Sequence, residues 1–265
     1  LATLVPDLPP AGADAPPNLI VAGSLPDVVE DQFARLFDAF GLGPVGFLPA
    51  RRVDGLPPVG PSTRVLLAQP FLGDTARALE VRGARRIEAP FPIGVEGTTA
   101  WLSAAAHVFG VSAERVRRVV EPAEARARVA LDHHRERLRG RRVFFFPDSQ
   151  LEIPIARFLA RELDVELVEV GTPYLHRAHL AAELAMLPAG TTISEGAGRG
   201  SAAGPLSALR DPTSRCAGSG SRTRSRRGAE HEVVHRARVH AHPRLRAGRR
   251  PRRAVRPPPR AAPRG

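Results

Sequence analysis

The chain has 265 residues, and its 39 basic residues, all arginine, outnumber 27 acids for a net charge of +12. That length suits one large or two ordinary domains. No apolar run reaches about 18 residues, so a membrane span is not expected, and no charged-then-apolar leader is visible; Cys216 is the single cysteine, which excludes an internal disulfide framework and a self-contained iron–sulfur site in this chain.

A cytoplasmic location is expected. The absence of Met at position 1 points to a fragment or a processed chain. Charge divides the chain sharply: residues 1–196 hold 21 Arg and 24 acids, whereas residues 197–265 hold 18 Arg and 3 acids. All 13 aromatic residues precede position 175, and the tail has only seven residues of the V/I/L/M type. A near-neutral globular body is therefore followed by a basic, low-complexity tail.

Residues 1–17, rich in Pro, Ala and Asp, read as an extended lead-in. Leu19-Ile20-Val21-Ala22-Gly23 reads as a buried strand. From residue 27 to 40, Val28, Val29, Phe33, Leu36, Phe37 and Phe40 recur at helical spacing, and Gly41 stands where a C-terminal cap belongs. Val45-Gly46-Phe47-Leu48 and Val65-Leu66-Leu67-Ala68 are the next strands, with a helix from an Asp74 cap to Arg82 and a weak strand over residues 86–89. Thr98 or Thr99 opens a helix that Gly110 stops, and Ser112 opens a longer one to about Leu138, with a break or kink at Pro122.

The second half repeats the alternation. Val143-Phe144-Phe145-Phe146 reads as a strand buried on both faces. Pro147-Asp148-Ser149-Gln150 makes the turn, with Asp148 or Ser149 capping a helix to Leu163. A strand over residues 165–170 and a short helix over 178–187 follow. The expected fold class is α/β, with two Rossmann-like parallel-sheet units and a disordered basic tail. The expected organisation is a Rossmann-like domain at 18–111, a connecting helical segment at 112–139, a partial Rossmann-like domain at 140–196, and an Arg/Pro/Gly tail at 197–265.

Several patterns invite a chemical reading. His231-Glu232-Val233-Val234-His235 matches a zinc motif, with His240 or His242 available as a third ligand. It sits in an Arg/Pro tail without an apolar helical face, so no metal site is assigned. Gly196-Ala197-Gly198-Arg199-Gly200 follows no apolar strand and reads as a linker rather than a phosphate loop. Asp132-His133-His134 reads as a solvated helix face, and Cys216 receives no catalytic role. The arginine-rich tail is the one argument for an alternative, an α/β domain with a nucleic-acid-binding extension, but it has no aromatics for stacking. A chain without lysine also points to a GC-rich coding sequence.

The body carries a set of diagnostic runs: Leu25-Pro26-Asp27-Val28-Val29-Glu30-Asp31-Gln32, Gly43-Pro44-Val45, Leu48-Pro49-Ala50-Arg51-Arg52, Leu67-Ala68-Gln69-Pro70-Phe71-Leu72-Gly73 and Ala89-Pro90-Phe91-Pro92. The longest is Phe146-Pro147-Asp148-Ser149-Gln150-Leu151-Glu152-Ile153-Pro154, continuing Arg157-Phe158-Leu159-Ala160-Arg161-Glu162. Over about residues 18–196 the body resembles the N-subunit family of light-independent (dark-operative) protochlorophyllide oxidoreductase, one of the nitrogenase component 1-like enzymes.

The resemblance implies three Rossmann-like domains per subunit and an N2B2 heterotetramer with a B subunit. It also implies an ATP-hydrolysing iron–sulfur L protein as electron donor, and reduction of ring D of protochlorophyllide during (bacterio)chlorophyll synthesis. It further implies a [4Fe–4S] cluster with three cysteine ligands from the N subunit, and those cysteines have no counterpart here. No catalytic residue and no metal ligand is assigned, no nucleic acid is expected as partner, and the isolated chain is expected to be inactive. A related nitrogenase-like subunit, of chlorophyllide reductase or a cofactor-assembly scaffold, is the nearest alternative.

Open parallel sheets bind ligands at the carboxyl ends of their strands. Those ends carry Gln69 and Phe71 in the first unit and Asp148, Ser149 and Gln150 in the second, which are the candidate substrate contacts. The likeness stops at Ile193-Ser194-Glu195-Gly196. With suitable synonymous codons, a one-base shift of frame over residues 231–259 restores aromatic and apolar patterning similar to the family's C-terminal segment. The tail is therefore expected to be a frameshift product, and the His-Glu-Val-Val-His motif an accident of translation.

Overall fold

Every residue of Asn18–Ala22 (β1) is buried, as a central strand of a sheet covered on both faces must be. The computed structural model describes residues 1–196 apart from Ala13 and Pro44. Within them, β1 pairs in parallel with Val45–Leu48 (β2) on one side and Thr63–Leu67 (β3) on the other. Arg85–Arg86 (β4) adds a short parallel edge, giving the order β2-β1-β3-β4. Arg142–Phe145 (β5), Glu166–Thr172 (β6) and Ile193–Glu195 (β7) form a second parallel sheet in simple chain order. The α/β class with two parallel-sheet units is thus present in the body.

Helices alternate with these strands. Asp27–Phe40 (α1) ends at Gly41, whose φ of 79° lets its N–H reach Asp38 O while Leu42 N–H returns to Phe37 O. Gly73–Val81 (α2) follows β3, and Gly94–Val108 (α3) leads to Ala113–Leu138 (α4), where Ser112 Oγ accepts from Arg115 N–H. Glu152–Glu162 (α5) joins β5 to β6, and the single turn Ala181–Leu184 (α6) lies between β6 and β7. None of the described helices is long and apolar enough to cross a membrane.

The winding reverses in the first sheet, so both its faces are covered. Leu19, Val21 and Leu66 pack with Phe33, Phe37 and Phe40 of α1 and with Trp101, Leu102 and Ala105 of α3. Ile20, Ala22, Val65 and Leu67 pack on the other face with Ala76 and Leu79 of α2. Trp101 is fully buried, donates its indole N–H to Leu67 O at 2.8 Å, and stacks at a tilt 4.7 Å from Phe33.

Four expectations need correction. The lead-in is not extended at its start: Ala2–Asp7 is a 3-10 helix whose Val5, together with Leu8, enters the core, held by Arg82 Nη1 donating to Val5 O and Leu8 O. Pro122 does not break α4, because both it and residue 118, whose carbonyl loses a partner, are solvent-exposed. The last helix shrinks from ten residues to the four of α6.

β5 is not buried on both faces: Phe145 faces the core, but Phe144 is 53% and Phe146 76% exposed. The second sheet winds in one direction only, and same-handed crossovers fall on one face.

Phe37→Ala removes a fully buried ring between Phe40 and Trp101. It should cost about 3–5 kcal/mol, measured by denaturant unfolding followed through Trp101, the single tryptophan.

Candidate functional site

The loops at the carboxyl ends of β3 and β5 carry the five candidate contacts. Gln69 spends its amide locally: Oε1 accepts from Ser24 N–H at 2.9 Å and Nε2 donates to Ser24 O at 3.2 Å, tying the loop after β3 to the loop after β1. Phe71, in a 3-10 turn at Pro70–Leu72, is partly open to solvent. After β5, Asp148 and Ser149 are exposed and half-buried Gln150 has a left-handed backbone, φ 68°.

Neither Asp148 nor Ser149 caps α5 simply. Glu152 is buried and its Oε1 accepts the N–H groups of both, while Ser149 Oγ accepts from Leu151 N–H at 3.3 Å. Only the acidic half of a Ser-x-x-Glu box is formed, since Ser149 Oγ takes the Leu151 N–H rather than that of Glu152. Among the described residues no hydrogen bond joins the two groups of candidates.

What the structure does bring together is a charged junction between the sheets that sequence reasoning passed over. Arg157 on α5 is completely buried. Its Nε donates to Glu183 Oε2 of α6 at 2.7 Å, and its Nη2 donates to Ile93 O at 2.8 Å and more weakly to Phe91 O at 3.3 Å. Glu183, also fully buried, accepts Phe91 N–H on Oε1. Burial pushes the Glu183 carboxyl up, and Arg157 with the Phe91 N–H opposes that rise. The backbone comes this close to Arg157 only because position 97 is glycine: a Cβ there would collide with the guanidinium.

Glu162, one turn beyond Arg157, completes the junction. Its Oε2 accepts Val95 N–H at 2.7 Å and its Oε1 accepts Glu96 N–H at 3.2 Å, capping the first turn of α3 from outside. That external cap explains why α3 starts at Gly94, a turn ahead of the Thr98 or Thr99 expected from sequence. Burial raises the Glu162 pKa, whereas the Arg161 guanidinium holds Glu96 below its ordinary range. Nearby, Arg86 Nη1 lies 2.6 Å from His179 Nδ1, and burial depresses the pKa of His179. The signal that could have revealed the junction was a charged residue, Arg157, beside the apolar positions Ile153 and Ala156 of an otherwise amphipathic helix.

Two clefts flank the junction. One, of about 490 Å³, is polar and bordered by Glu96, Arg128, Asp132, Arg135, Arg161 and Glu162. The other, of about 380 Å³, is an apolar groove between α3, α4 and α5 that includes Leu36, Leu102, Val120, Leu131 and Phe158. None of the five candidate contacts lines either one. Asp132 thus borders a cleft, whereas His133 and His134 are exposed on α4.

The described residues include no cysteine, and no three His, Cys, Asp or Glu among them converge as a metal site, so they do not fit the iron–sulfur cluster that the resemblance implies. The His231–His235 motif with His240 and His242, the 197–200 part of the glycine-rich run, Cys216 and the arginine-rich tail lie outside the described residues.

Comparison with known proteins agrees with this architecture. Residues 4–197 match the family model described as nitrogenase component 1 type oxidoreductase. A curated relative from Rhodospirillum rubrum, light-independent protochlorophyllide reductase subunit N, is 65% identical over 196 residues, which are 74% of this chain and 44% of that one. A relative of the same name from Bradyrhizobium sp. (strain ORS 278) is 67% identical over 196 residues, 74% of this chain and 46% of its own. The chain therefore spans about half the length of the curated relatives it matches. A solved structure titled "Nitrogenase Cp1 at pH 6.5" superposes with a TM-score of 0.52 at 18% identity, covering 73% of this chain and 47% of that one, a likeness of fold.

Arg157→Met should destabilise the chain by about 3–5 kcal/mol, because it leaves the Glu183 carboxylate buried without its partner; adding Glu183→Gln should recover part of the loss in the same denaturant titration. The two glutamates at the start of α3 should behave oppositely with pH. Compared with Glu162→Gln, the parent chain should lose stability as pH rises above the ordinary glutamate value of about 4.3, since its folded-state pKa is raised. Compared with Glu96→Gln, it should lose stability as pH falls below that value, since that pKa is lowered. Unfolding titrations from pH 3.5 to 7 (an experimental range of roughly the carboxylate window) would read both signs.

Proposed function

The chain belongs to the nitrogenase component 1 type oxidoreductase family, and from that membership we propose that it is part of the N subunit of a light-independent protochlorophyllide reductase. The observation that carries this reading is the 65–67% identity to subunits of that name over 196 residues. Identity at that level spans both sheets and the junction between them, whereas fold likeness alone would leave the reaction open.

The parent complex would reduce ring D of protochlorophyllide, with a B subunit as partner in an N2B2 assembly and an ATP-hydrolysing iron–sulfur L protein as electron donor. The cluster ligands of such a complex have no counterpart among the described residues, and no electron-transfer step is assigned to them. Their part is positional. Arg157 and Glu183, paired between α5 and α6, hold the second sheet to the Phe91–Ile93 segment that leads to α3, and the strand-end loops present Phe71, Asp148 and Ser149 outward as the proposed pigment-facing groups. Gln69 is already committed to Ser24 and acts there as a loop tie. Gln150 sets the turn through its left-handed backbone. The domain limits at residues 111, 139 and 196 belong to the same proposal.

A chimera tests this reading directly. Residues 1–196 of this chain, grafted in place of the matched stretch of the Rhodospirillum rubrum subunit, should support protochlorophyllide reduction with B subunit, L protein, ATP and a reductant. The readout is the chlorophyllide absorbance band, with a rate within about tenfold of the parent, a difference of roughly 1.4 kcal/mol in barrier. An assembled chimera that reduces chlorophyllide instead, or nothing, would overturn the assignment. The chain alone, added in place of the N subunit, should give no turnover.

A further inference from the structure

Arg86 and His179 meet where two stretches far apart in the chain come together. Arg86 stands on β4, the edge of the first sheet, and His179 on the segment that leads from the carboxyl end of β6 to α6. Arg86 Nη1 lies 2.6 Å from His179 Nδ1. A guanidinium has donors and no acceptor, so this contact is a hydrogen bond only when Nδ1 is bare and the ring hydrogen sits on Nε2. Protonation of Nδ1 would set two donors and two positive charges against each other at that distance.

The surroundings leave such a charge little relief. The imidazole is half-buried, its centroid 6.0 Å from that of Phe91, and it borders a void of about 20 Å³, room for roughly one water. Glu80 of α2 and Glu88 lie 3.8 and 3.7 Å from the Arg86 guanidinium, so the nearby acids face the arginine. His176, on the same segment as His179, accepts its N–H on Nδ1 at 3.2 Å with the rings 5.9 Å apart, and adds a second basic group. Among the described residues no carboxylate is hydrogen-bonded or ion-paired to the His179 ring. Burial, then the Arg86 charge and then His176 hold the His179 pKa below its ordinary value, with the Pro70 carbonyl opposing them.

We propose that the Arg86–His179 contact is a proton-released latch, which holds residues 173–180 to the edge of the first sheet while the ring is neutral and frees them when it is charged. The rest of that segment is tied lightly, by Leu175 N–H on Glu195 Oε1 at 3.2 Å and Thr172 Oγ1 on Tyr174 O at 3.3 Å. Helix α6 beyond it is held separately, through Glu183 on Arg157. Release therefore loosens the loop beside the carboxyl end of β6, the edge at which open parallel sheets take ligands. The direction is fixed by the lowered folded-state pKa: the latch contributes fully above the unfolded value and is lost as pH falls toward the folded one.

Hydrogen exchange of the full chain, divided by the intrinsic rate at each pH, tests the latch. Protection of residues 173–180 should hold steady above about pH 7.5 and fall below the ordinary histidine value of about 6.5, by up to about tenfold for each unit that opening raises the His179 pKa. His179→Gln, whose amide oxygen still accepts from Arg86, should keep the protection and lose its pH dependence, whereas His176→Gln should retain both. Imidazole nitrogen shifts of the unsubstituted chain give a reading that needs no variant: one histidine in the Nε2–H tautomer, titrating below about 6.5. Protection indifferent to pH, a pH dependence that survives His179→Gln, or the absence of such a histidine would each overturn the proposal.

Discussion

The arrangement of the body depends on one desolvated guanidinium. Arg157 has given up all contact with water, a loss that costs several kcal/mol before any partner is counted. It is offset because Nε and Nη2 converge on a carboxylate and on the carbonyls of Phe91 and Ile93 in the segment leading to α3, while Nη1 makes no hydrogen bond and lies 3.8 Å from Glu162 Oε1. Glu183 closes the circuit by accepting Phe91 N–H. The segment between the sheets is thus gripped from both ends by groups of the second sheet's helices, and shifting it would strand charge in an apolar interior. Apolar packing alone tolerates small slides; a network of directed bonds in a low-dielectric setting does not.

That network also explains which parts of the fold were legible in the sequence. β1, β2, β3, β5, β6 and α1 were readable because their evidence is local: continuous apolar runs, 3.6-residue spacing and Gly41 at the cap; β7, Ile193–Glu195, has no such run and was missed, and the two-residue β4 falls at Arg85–Arg86 rather than over 86–89. The start of α3 was not readable, because its cap is Glu162, distant in sequence by more than sixty residues. The 3-10 turn at the N-terminus was hidden for a similar reason, its carbonyls being satisfied by Arg82. At the strand ends, sequence reasoning chose residues by type and place, and the structure engages Gln69 in holding a loop and turns Asp148 and Ser149 into backbone donors for Glu152. The junction escaped because a buried charge is visible only once its partners are assembled around it.

The two sheets differ in a way that the apolar runs could not signal. Val143-Phe144-Phe145-Phe146 looks as continuous as Leu19-Ile20-Val21-Ala22, yet only the second run is enclosed. Enclosure is a property of winding order rather than of the strand, and β2-β1-β3-β4 reverses where β5-β6-β7 does not. A run of aromatic residues therefore records the environment a strand is built for, which need not be supplied by the residues nearest to it in the chain.

Glu152 has a consequence for what the second sheet can hold. In many sheets of this kind the first turn of the helix after a central strand offers bare N–H groups, and nucleotides seat their phosphates there. In this chain the loop that leads into α5 already spends two of its N–H groups, those of Asp148 and Ser149, on the side chain of Glu152. A phosphorylated guest would have to displace the buried Glu152 side chain from those N–H groups. The loop therefore meets whatever approaches it with two of its donors already engaged, while the second Glu152 oxygen, Oε2, stays buried without a hydrogen-bond partner.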